Sequence, residues 1–459
     1  MRGGGMGFWV TYRGIYSYFC FMAENAKNKG VYFSELYLKN VKCFKEPVKL
    51  SFLDKEKKNW KKWTVILGDN GVGKTTLLQA IASLEPVENK GTDFARYSFV
   101  DYGYSNWTQL GQVAFKLEGK FIKPPLADIH LRSYIEREIL SSDESSTASS
   151  ISGDVARSFV VFSYGANRTM SKTSLANDFI KMNSETLFFE NRTLINAEEW
   201  LLQLDYAASK DSDVKQLAIR KREQVKSILI DLLPDIEDIK ILDPTKDQLK
   251  PSVAFKTSFG WLNLDQLSLG YKTMIAWVVD LAARMFIKYP DSENPLAEPA
   301  IVLVDEIDLH LHPKWQRNIF KYLSDRFPAA QFIVTAHSPL IVQAAPEDVN
   351  LVVLQKKGDT VVIDQEVENV RRWRIDQILT SDLFGIDSAR DTETAELLKE
   401  RTVLLQRSPL SEKEKARLEE LNEMAHSLPT AANKEDIEAM DIIRKAAAYL
   451  KEKQHKGRE

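Results

Sequence analysis

One stretch constrains this chain more than any other, Gly68-Asp-Asn-Gly-Val-Gly-Lys-Thr-Thr76. It satisfies G-x-x-x-x-G-K-[ST] with Gly68, Gly73, Lys74 and Thr75, and it stands in the setting such a loop needs. The apolar Trp63-Thr-Val-Ile-Leu67, of strand length, runs into it, and the helix formers Leu77-Leu-Gln-Ala-Ile-Ala-Ser83 follow. Glycines let successive backbone N–H groups turn inward, and the N-terminus of the next helix adds the positive end of its dipole. The spacing predicts a phosphate cradle on an α/β fold. Asn70, Gly71, Gly73 and Thr76 line it, Lys74 reaches the β/γ-phosphates of a nucleoside triphosphate such as ATP, and the Thr75 hydroxyl ligates Mg²⁺.

Two later strand-like runs end in residues suited to the same chemistry. Ala300-Ile-Val-Leu-Val-Asp-Glu306 is apolar until its two carboxylates. Asp305 suits the Mg²⁺ shell, and Glu306 is placed to polarise an attacking water. Gln331-Phe-Ile-Val-Thr-Ala-His337 ends in a histidine that can contact a γ-phosphate, whereas a core histidine would sit mid-strand. The catalytic set is therefore Glu306, His337 and Lys74, and the metal set is Thr75 and Asp305. His310 and His312, at i,i+2, have no third ligand at metal spacing and read as polar residues of a subunit-facing loop.

At 459 residues the chain has room for two or three units of about 150 residues, or for one elaborated α/β domain. A net charge of −3 excludes a global basic field, so any nucleic-acid contact must be a local patch. Cys20 and Cys43 are too few for a disulfide framework, which fits a reducing, cytoplasmic compartment. No run approaches the ~18 apolar residues of a spanning helix, so no membrane role is expected. The expected organisation is an N-terminal extension over 1–29 and a nucleotide-binding domain over 30–370 with a helical insertion at about 177–250. A C-terminal helical region over 371–459 follows, suited to partner docking.

Along the chain, Val31–Leu38 and Val48–Phe52 alternate as a hairpin pair. Lys55-Glu-Lys-Lys-Asn-Trp-Lys-Lys-Trp63 sets lysines beside two tryptophans, a solvated loop or, as the alternative, a DNA-backbone contact. Gln109 and Gln112 are candidates for a metal- and water-sensing glutamine. Ser141–Ser150 is a polar low-complexity loop. Phe159–Phe162 is strand-like and leads to Arg168, which faces either phosphate or a surface carboxylate. Ala197–Leu233 is helical and too short for a long coiled-coil arm. Leu351–Leu354 and Thr360–Ile363 pair around Gly358. Ser411-Glu-Lys-Glu414 predicts a capping box, and Asn433 with Asp436 resembles one. Leucines at 397, 398, 404, 405, 418 and 421 make helical stripes.

Leu267-Ser-Leu-Gly-Tyr271 precedes the apolar run Met274–Ala283 and falls between the P-loop and Asp305-Glu306. In that order the motifs resemble those of ABC-type ATPases. There the serine and helix N-terminus of the signature motif bind the γ-phosphate held by a partner subunit. Ser268 and Gly270 are the matching positions. Leu38-Lys-Asn-Val-Lys-Cys-Phe44, Asp305–Pro313 and Thr335-Ala-His-Ser-Pro339 look like the soluble RecF-like and OLD-like branch of the AAA ATPases. Tyr164-Gly-Ala-Asn-Arg168, Leu194-Ile-Asn-Ala-Glu-Glu-Trp200 and Ser381-Asp-Leu-Phe-Gly385 are similar to the PtuA-type ATPases of Septu and retron-associated phage defence.

The resemblance covers about Val31 to the C-terminus. It implies an ABC-type P-loop NTPase with a mixed central sheet, an inserted helical arm and a C-terminal helical region. It also implies ATP hydrolysis with Mg²⁺ in a head-to-tail homodimer or higher oligomer. The implied partners are a separately encoded HNH-type, PtuB-like nuclease and DNA or a retron element. OLD enzymes append a Toprim domain, but no Asp-x-Asp pair follows His337 here. Two other readings stay open: a RecF-like repair ATPase acting on DNA ends, and an ATP-gated scaffold with little turnover.

Overall fold

The computed structural model describes residues 30–39, 41–54, 59–89, 96–99, 115–122, 133–139, 158–172, 184–233, 235–246, 249–367, 370, 372–407 and 409–428. Its strands are β1 (Tyr32–Lys39), β2 (Val48–Ser51), β3 (Trp63–Gly68), β4 (Pro86–Asn89), β5 (Arg96–Phe99), β6 (Phe115–Ile122), β7 (Ser133–Ile139), β8 (Val161–Tyr164), β9 (Asp238–Leu242), β10 (Ser252–Thr257), β11 (Gly260–Asn263), β12 (Ala300–Val304), β13 (Ala330–Thr335), β14 (Asn350–Lys357) and β15 (Thr360–Asp364). Its helices are α1 (Lys74–Ala82), α2 (Glu185–Phe188), α3 (Ala197–Ser209), α4 (Lys215–Leu232), α5 (Leu269–Lys288), α6 (Pro313–Gln316), α7 (Ile319–Arg326), α8 (Pro339–Ala344), α9 (Ile375–Leu379), α10 (Thr392–Gln406) and α11 (Glu412–Ser427).

A mixed six-stranded sheet in the order β15-β14-β3-β13-β12-β8 organises the first unit, so the expected α/β class holds. Five strands run parallel and β15 is an antiparallel edge. The parallel strands are buried on both faces, which is why they read as near-continuous apolar runs. Residue parity sorts the faces. Val65, Leu67, Val302, Val304 and Val334 join one core with α4 and α5. Ile66, Ile301, Leu303 and Ile333 join the other with α1 and β1. Leu77, Leu78 and Ile81 of α1 are each at 0% exposure. Burying such a side chain stabilises by ~1.5–3 kcal/mol, enough to seat the helix firmly behind its loop.

A second sheet, β2-β1-β6-β7, is antiparallel and contains the expected β1–β2 hairpin. Helices α3 and α4 form a hairpin tied by Arg222 Nη1 to Asp205 Oδ1 at 2.5 Å. The small sheet β11-β10-β9 follows it. By internal contact the chain divides into two units, Met1–Gly385 and Ile386–Glu459. In the first, α9 packs on the core through the fully buried Ile378, and Leu383 is buried beside it. In the second, α10 and α11 bury Leu404 and Leu421 and are bridged by Arg417 to Glu400 at 2.9 Å. Ser411 and Glu414 form the expected capping box on α11. Leu405, part of the leucine stripe, is instead 53% exposed.

Of the lysine- and tryptophan-rich run, residues 59–63 lie among the described residues. Trp63 is buried and stacks on Phe332 at 4.3 Å between centroids, while Trp60 stacks on Tyr32 at 4.0 Å. Trp63 is thus enclosed and offers no platform for bases, and one face of the half-buried Trp60 is taken by Tyr32. Residues 1–29, Gln109, Gln112, the 141–150 loop and Asn433 with Asp436 lie outside the described residues. Among the described residues no helix is long and apolar enough to cross a membrane.

Candidate nucleotide site

Because β13 lies between β3 and β12, three strand ends meet at one edge of the sheet. The C-terminal edge of parallel strands is where α/β folds place ligands. The P-loop leaves β3 there and enters α1. Gly68, Gly71 and Gly73 have φ of 144°, 79° and 95°, and all three lie where side chains are strained. Gly73 is also crowded, since a Cβ there would lie 2.3 Å from Cys43 Sγ. Asn70, Gly71 and Thr75 are exposed, and Thr76 is half-buried.

Lys74 is buried, and its Nζ donates to the carbonyl oxygens of Gly68 and Asp69 at 2.7 and 2.8 Å. Burial lowers its pKa, while Asp305, Glu306, Asp69 and Asp308 oppose that shift. These four carboxylates favour the charged form of an ammonium that burial disfavours.

Thr75 Oγ1 donates to Asp305 Oδ2 at 2.7 Å. From β13, Thr335 Oγ1 donates to Asp305 Oδ1 at 2.6 Å and accepts the Glu306 N–H at 2.7 Å. One hydroxyl thus holds both acidic residues. Glu306 has φ of 50°, a left-handed conformation unusual for a side-chain-bearing residue. Arg168 turns in beneath this pair. Its Nη1 donates to the Asp305 carbonyl at 2.5 Å, and its Nη2 to the Glu306 carbonyl at 2.9 Å. Burial pulls its guanidinium down to about 10, partly offset by Asp305, Asp308 and Glu306. Neither role expected for Arg168 from the sequence is the one observed: it is buried, and its hydrogen bonds go to main-chain oxygens.

His337 follows β13, and its N–H donates to Asp308 Oδ2 at 3.1 Å. Beside it, Ser338 Oγ donates to Gln316 Oε1 at 2.5 Å, and Gln316 Nε2 donates to the Leu311 carbonyl at 3.0 Å. The histidine is thereby tied to the turn that follows Glu306. Lys74, Thr75, Asp305, Glu306 and His337 belong to one neighbourhood. Ser268 and Gly270 do not. They line a separate cleft of about 310 Å³ with Asp235, Tyr271, His310 and His312, and no P-loop residue borders it. A Cβ on Gly270 would sit 2.5 Å from the His310 carbonyl oxygen, so glycine is required for this close approach. Among the described residues no group of three or more His, Cys, Asp or Glu is gathered to hold a metal ion, and His310 and His312 gain no third ligand.

The hydroxyl of Thr75 and the carboxylate of Asp305 are hard oxygen donors in mutual contact, the chemistry that Mg²⁺ takes. The open side of Gly71, where a Cβ would meet nothing within 4 Å, leaves the loop accessible to a phosphate chain. The residues present fit both groups. Sequence reasoning assigned no role to Thr335 or Asp308. Their only signal was position, at the end of a buried strand two residues before His337 and two residues after Glu306.

A P-loop at a parallel sheet edge, backed by an acidic strand end, defines a P-loop ATPase fold. The chain belongs to the family described as "AAA domain, putative AbiEii toxin, Type IV TA system", matched over residues 63–343. More particularly, it is similar to Septu protein PtuA of Bacillus mycoides (strain KBAB4), 26% identical over 424 residues that cover 90% of this chain and 54% of that protein. An 80-residue stretch, 17% of this chain and 15% of the relative, is 52% identical to the "Retron Ec83 probable ATPase" of Escherichia coli. The chain thus spans about half the length of the first relative and a small part of the second. Among solved structures it is similar to an SMC head bound to the C-terminal winged-helix domain of ScpA, with 18% identity, 72% of this chain and 97% of that chain covered, and a TM-score of 0.43. The resemblance to Septu and retron ATPases read from the motifs agrees with these relatives.

Proposed function

We propose that the chain hydrolyses ATP to ADP and phosphate as the ATPase subunit of an anti-phage defence complex. In this reading two or more copies close head to tail around ATP and control a separately encoded HNH-type nuclease, with DNA or a retron element as a further partner. The observation that carries the hydrolytic part is the clamp of Thr335 on Asp305 and Glu306, beside Lys74 and Thr75. The defence part rests on similarity to Septu and retron proteins.

Lys74 and the inward amides of the loop bind and orient the phosphates. Mg²⁺ held by Thr75 and Asp305 would supply charge neutralisation for them. Glu306 takes a proton from the water that attacks the γ-phosphorus, and the β–γ bridging oxygen leaves with ADP. His337, held through its backbone amide on Asp308, senses the γ-phosphate in this reading. Ser268 and Gly270 act on the nucleotide of the neighbouring copy.

Replacing Glu306 with Gln removes the base and keeps the shape. Turnover is expected to fall roughly 10²–10⁴-fold with ATP affinity retained. Wild-type turnover in Glu306→Gln would overturn the hydrolytic reading. Purification from the native locus tests the remainder: a stoichiometric HNH-type nuclease supports it, and self alone or repair proteins overturn it.

A further inference from the structure

We infer that Arg168 is a positioning residue for hydrolysis, holding the main chain of Asp305 and Glu306 in the one conformation that aims the base. This rests on the hydrolytic reading above. Three observations converge. First, the planar guanidinium spans two consecutive carbonyls, those of Asp305 and Glu306, and also reaches Gly165 at 3.4 Å. A fork of fixed geometry can hold two neighbouring oxygens, where a point charge cannot. Second, the second of those residues, Glu306, has φ of 50°, a conformation that persists only where its surroundings impose it. Third, Arg168 is itself anchored. Asn167 Nδ2 donates to the Glu190 carbonyl at 2.8 Å, and the Asp305 N–H donates to the Tyr164 carbonyl at 2.8 Å, so the segment after β8 and the acidic turn are registered together.

A structural explanation alone is uneconomical. Burying a cation is costly unless its bonding is complete. Yet Arg168 Nε is buried without a partner, as is Asp308 Oδ1 on the same acidic turn. Incomplete satisfaction at the turn that carries the base fits a segment arranged for chemistry rather than for stability alone.

The test compares Arg168→Gln and Arg168→Lys with wild type in the full chain. With Arg168→Gln, kcat is expected to fall about 10–100-fold while the Kd for ATP stays within about threefold, because misplacing a reacting group by about 1 Å can cost 10²-fold. Arg168→Lys, which keeps the charge but not the fork, should recover only part of the loss. Hydrogen exchange supplies a readout independent of turnover. The amides of Glu306 and Ile307 are held by Thr335 Oγ1 and the Thr335 carbonyl. They should exchange faster in Arg168→Gln, while the Ile301 amide of β12, bonded to the Val160 carbonyl, is unchanged.

Wild-type kcat, unchanged exchange at Glu306 and Ile307, or full rescue by lysine would each overturn the inference. Loss of protection in β12 together with ATP binding would overturn it too, by showing a merely structural role. If wild type fails to turn over ATP, or Glu306→Gln leaves turnover intact, the hydrolytic reading fails on its own account, and the exchange result still decides what Arg168 holds.

Discussion

The apolar helix α5 contains one carboxylate, Asp280, at 0% exposure, and its removal should be among the most damaging single changes away from the nucleotide site. Asp280 Oδ2 accepts from Arg284 Nε at 2.6 Å and from the Tyr164 hydroxyl at 3.1 Å, while Oδ1 accepts the Ile195 N–H at 3.2 Å. One side chain therefore joins α5, the end of β8 and the segment before α3. Burial alone would lower the Arg284 guanidinium, but the Asp280 carboxylate, helped by Tyr164, carries it above the ordinary arginine range. Asp280→Ala removes the carboxylate paired with Arg284 at 2.6 Å and takes the acceptor from the Tyr164 hydroxyl and the Ile195 N–H, and breaking such a buried pair costs ~3–5 kcal/mol. Asp280→Asn keeps the shape and loses the charge, and its one carbonyl oxygen can accept from either the Tyr164 hydroxyl or the Ile195 N–H while its NH₂ faces the other donor, so a loss of ~1.5–3 kcal/mol is expected. Replacing Asp280 and Arg284 together by leucines, with Tyr164→Phe, should recover part of the loss, because apolar residues often substitute well for buried pairs while the Ile195 N–H still lacks its acceptor. Urea unfolding at neutral pH without nucleotide gives these differences directly, and against a stability of ~5–15 kcal/mol they are large. If Asp280→Ala unfolded within about 1 kcal/mol of wild type, or Asp280→Asn matched wild type, charge pairing would not be the controlling effect.

Two further outcomes follow from the described contacts. Thr335→Val is nearly isosteric but strips one bond from Asp305 and one from the Glu306 amide, so kcat should fall about tenfold or more for a loss of ~1–3 kcal/mol of polar pairing, with Thr335→Ser close to wild type. Equal kcat for Val and Ser in steady-state assays would refute that. Tyr32 is buried, its pKa is pushed from 10.0 to about 12 by burial and then by Glu298, and its hydroxyl donates to the Ala329 carbonyl. A raised folded value means stability is whole below about pH 10 and is lost as pH climbs towards 12, by on the order of 2–3 kcal/mol. Alkaline denaturation midpoints should therefore shift upward in Tyr32→Phe relative to its own neutral-pH stability, and an identical profile would exclude Tyr32 as the titrating group.

What could be read in advance and what could not divides along contact range. The P-loop was legible because strand, glycines, lysine and helix are neighbours in sequence, and local spacing carries the geometry. Asp305-Glu306 was legible because carboxylates closing an apolar strand stand out against its burial. The clamp of Thr335 was not, since it depends on β13 lying between β3 and β12, a sheet order that no periodicity encodes. Arg168 was visible as a residue but not as a brace, because its partners are carbonyl oxygens 137 and 138 positions away and every residue has a carbonyl. The packing of Trp60 and Trp63, read first as part of a solvated loop with a DNA contact as the alternative, was not legible either. Aromatic residues among lysines fit a stacking surface, yet their partners Tyr32 and Phe332 come from distant strands.

The separation of Ser268 and Gly270 from the P-loop bears on how two copies would communicate. The turn that begins at Asp305 and Glu306 continues to His310 and His312, which line the cleft around Ser268 and Gly270. Both Glu306 and His310 adopt positive φ, at 50° and 63°, and Gly270 presses against the His310 carbonyl. One short segment thus runs from the Thr75–Asp305 contact beside the P-loop at one end to the cleft around Ser268 and Gly270 at the other. In a head-to-tail pair those two ends would serve different nucleotides. Occupancy of the cleft by a neighbour's phosphate would then bear on the conformation of Glu306 through about four residues of main chain, and linkage requires the influence to run equally in both directions for binding. Differential contact at either end is all that such coupling needs, and Arg168 sits at the end where the base would respond.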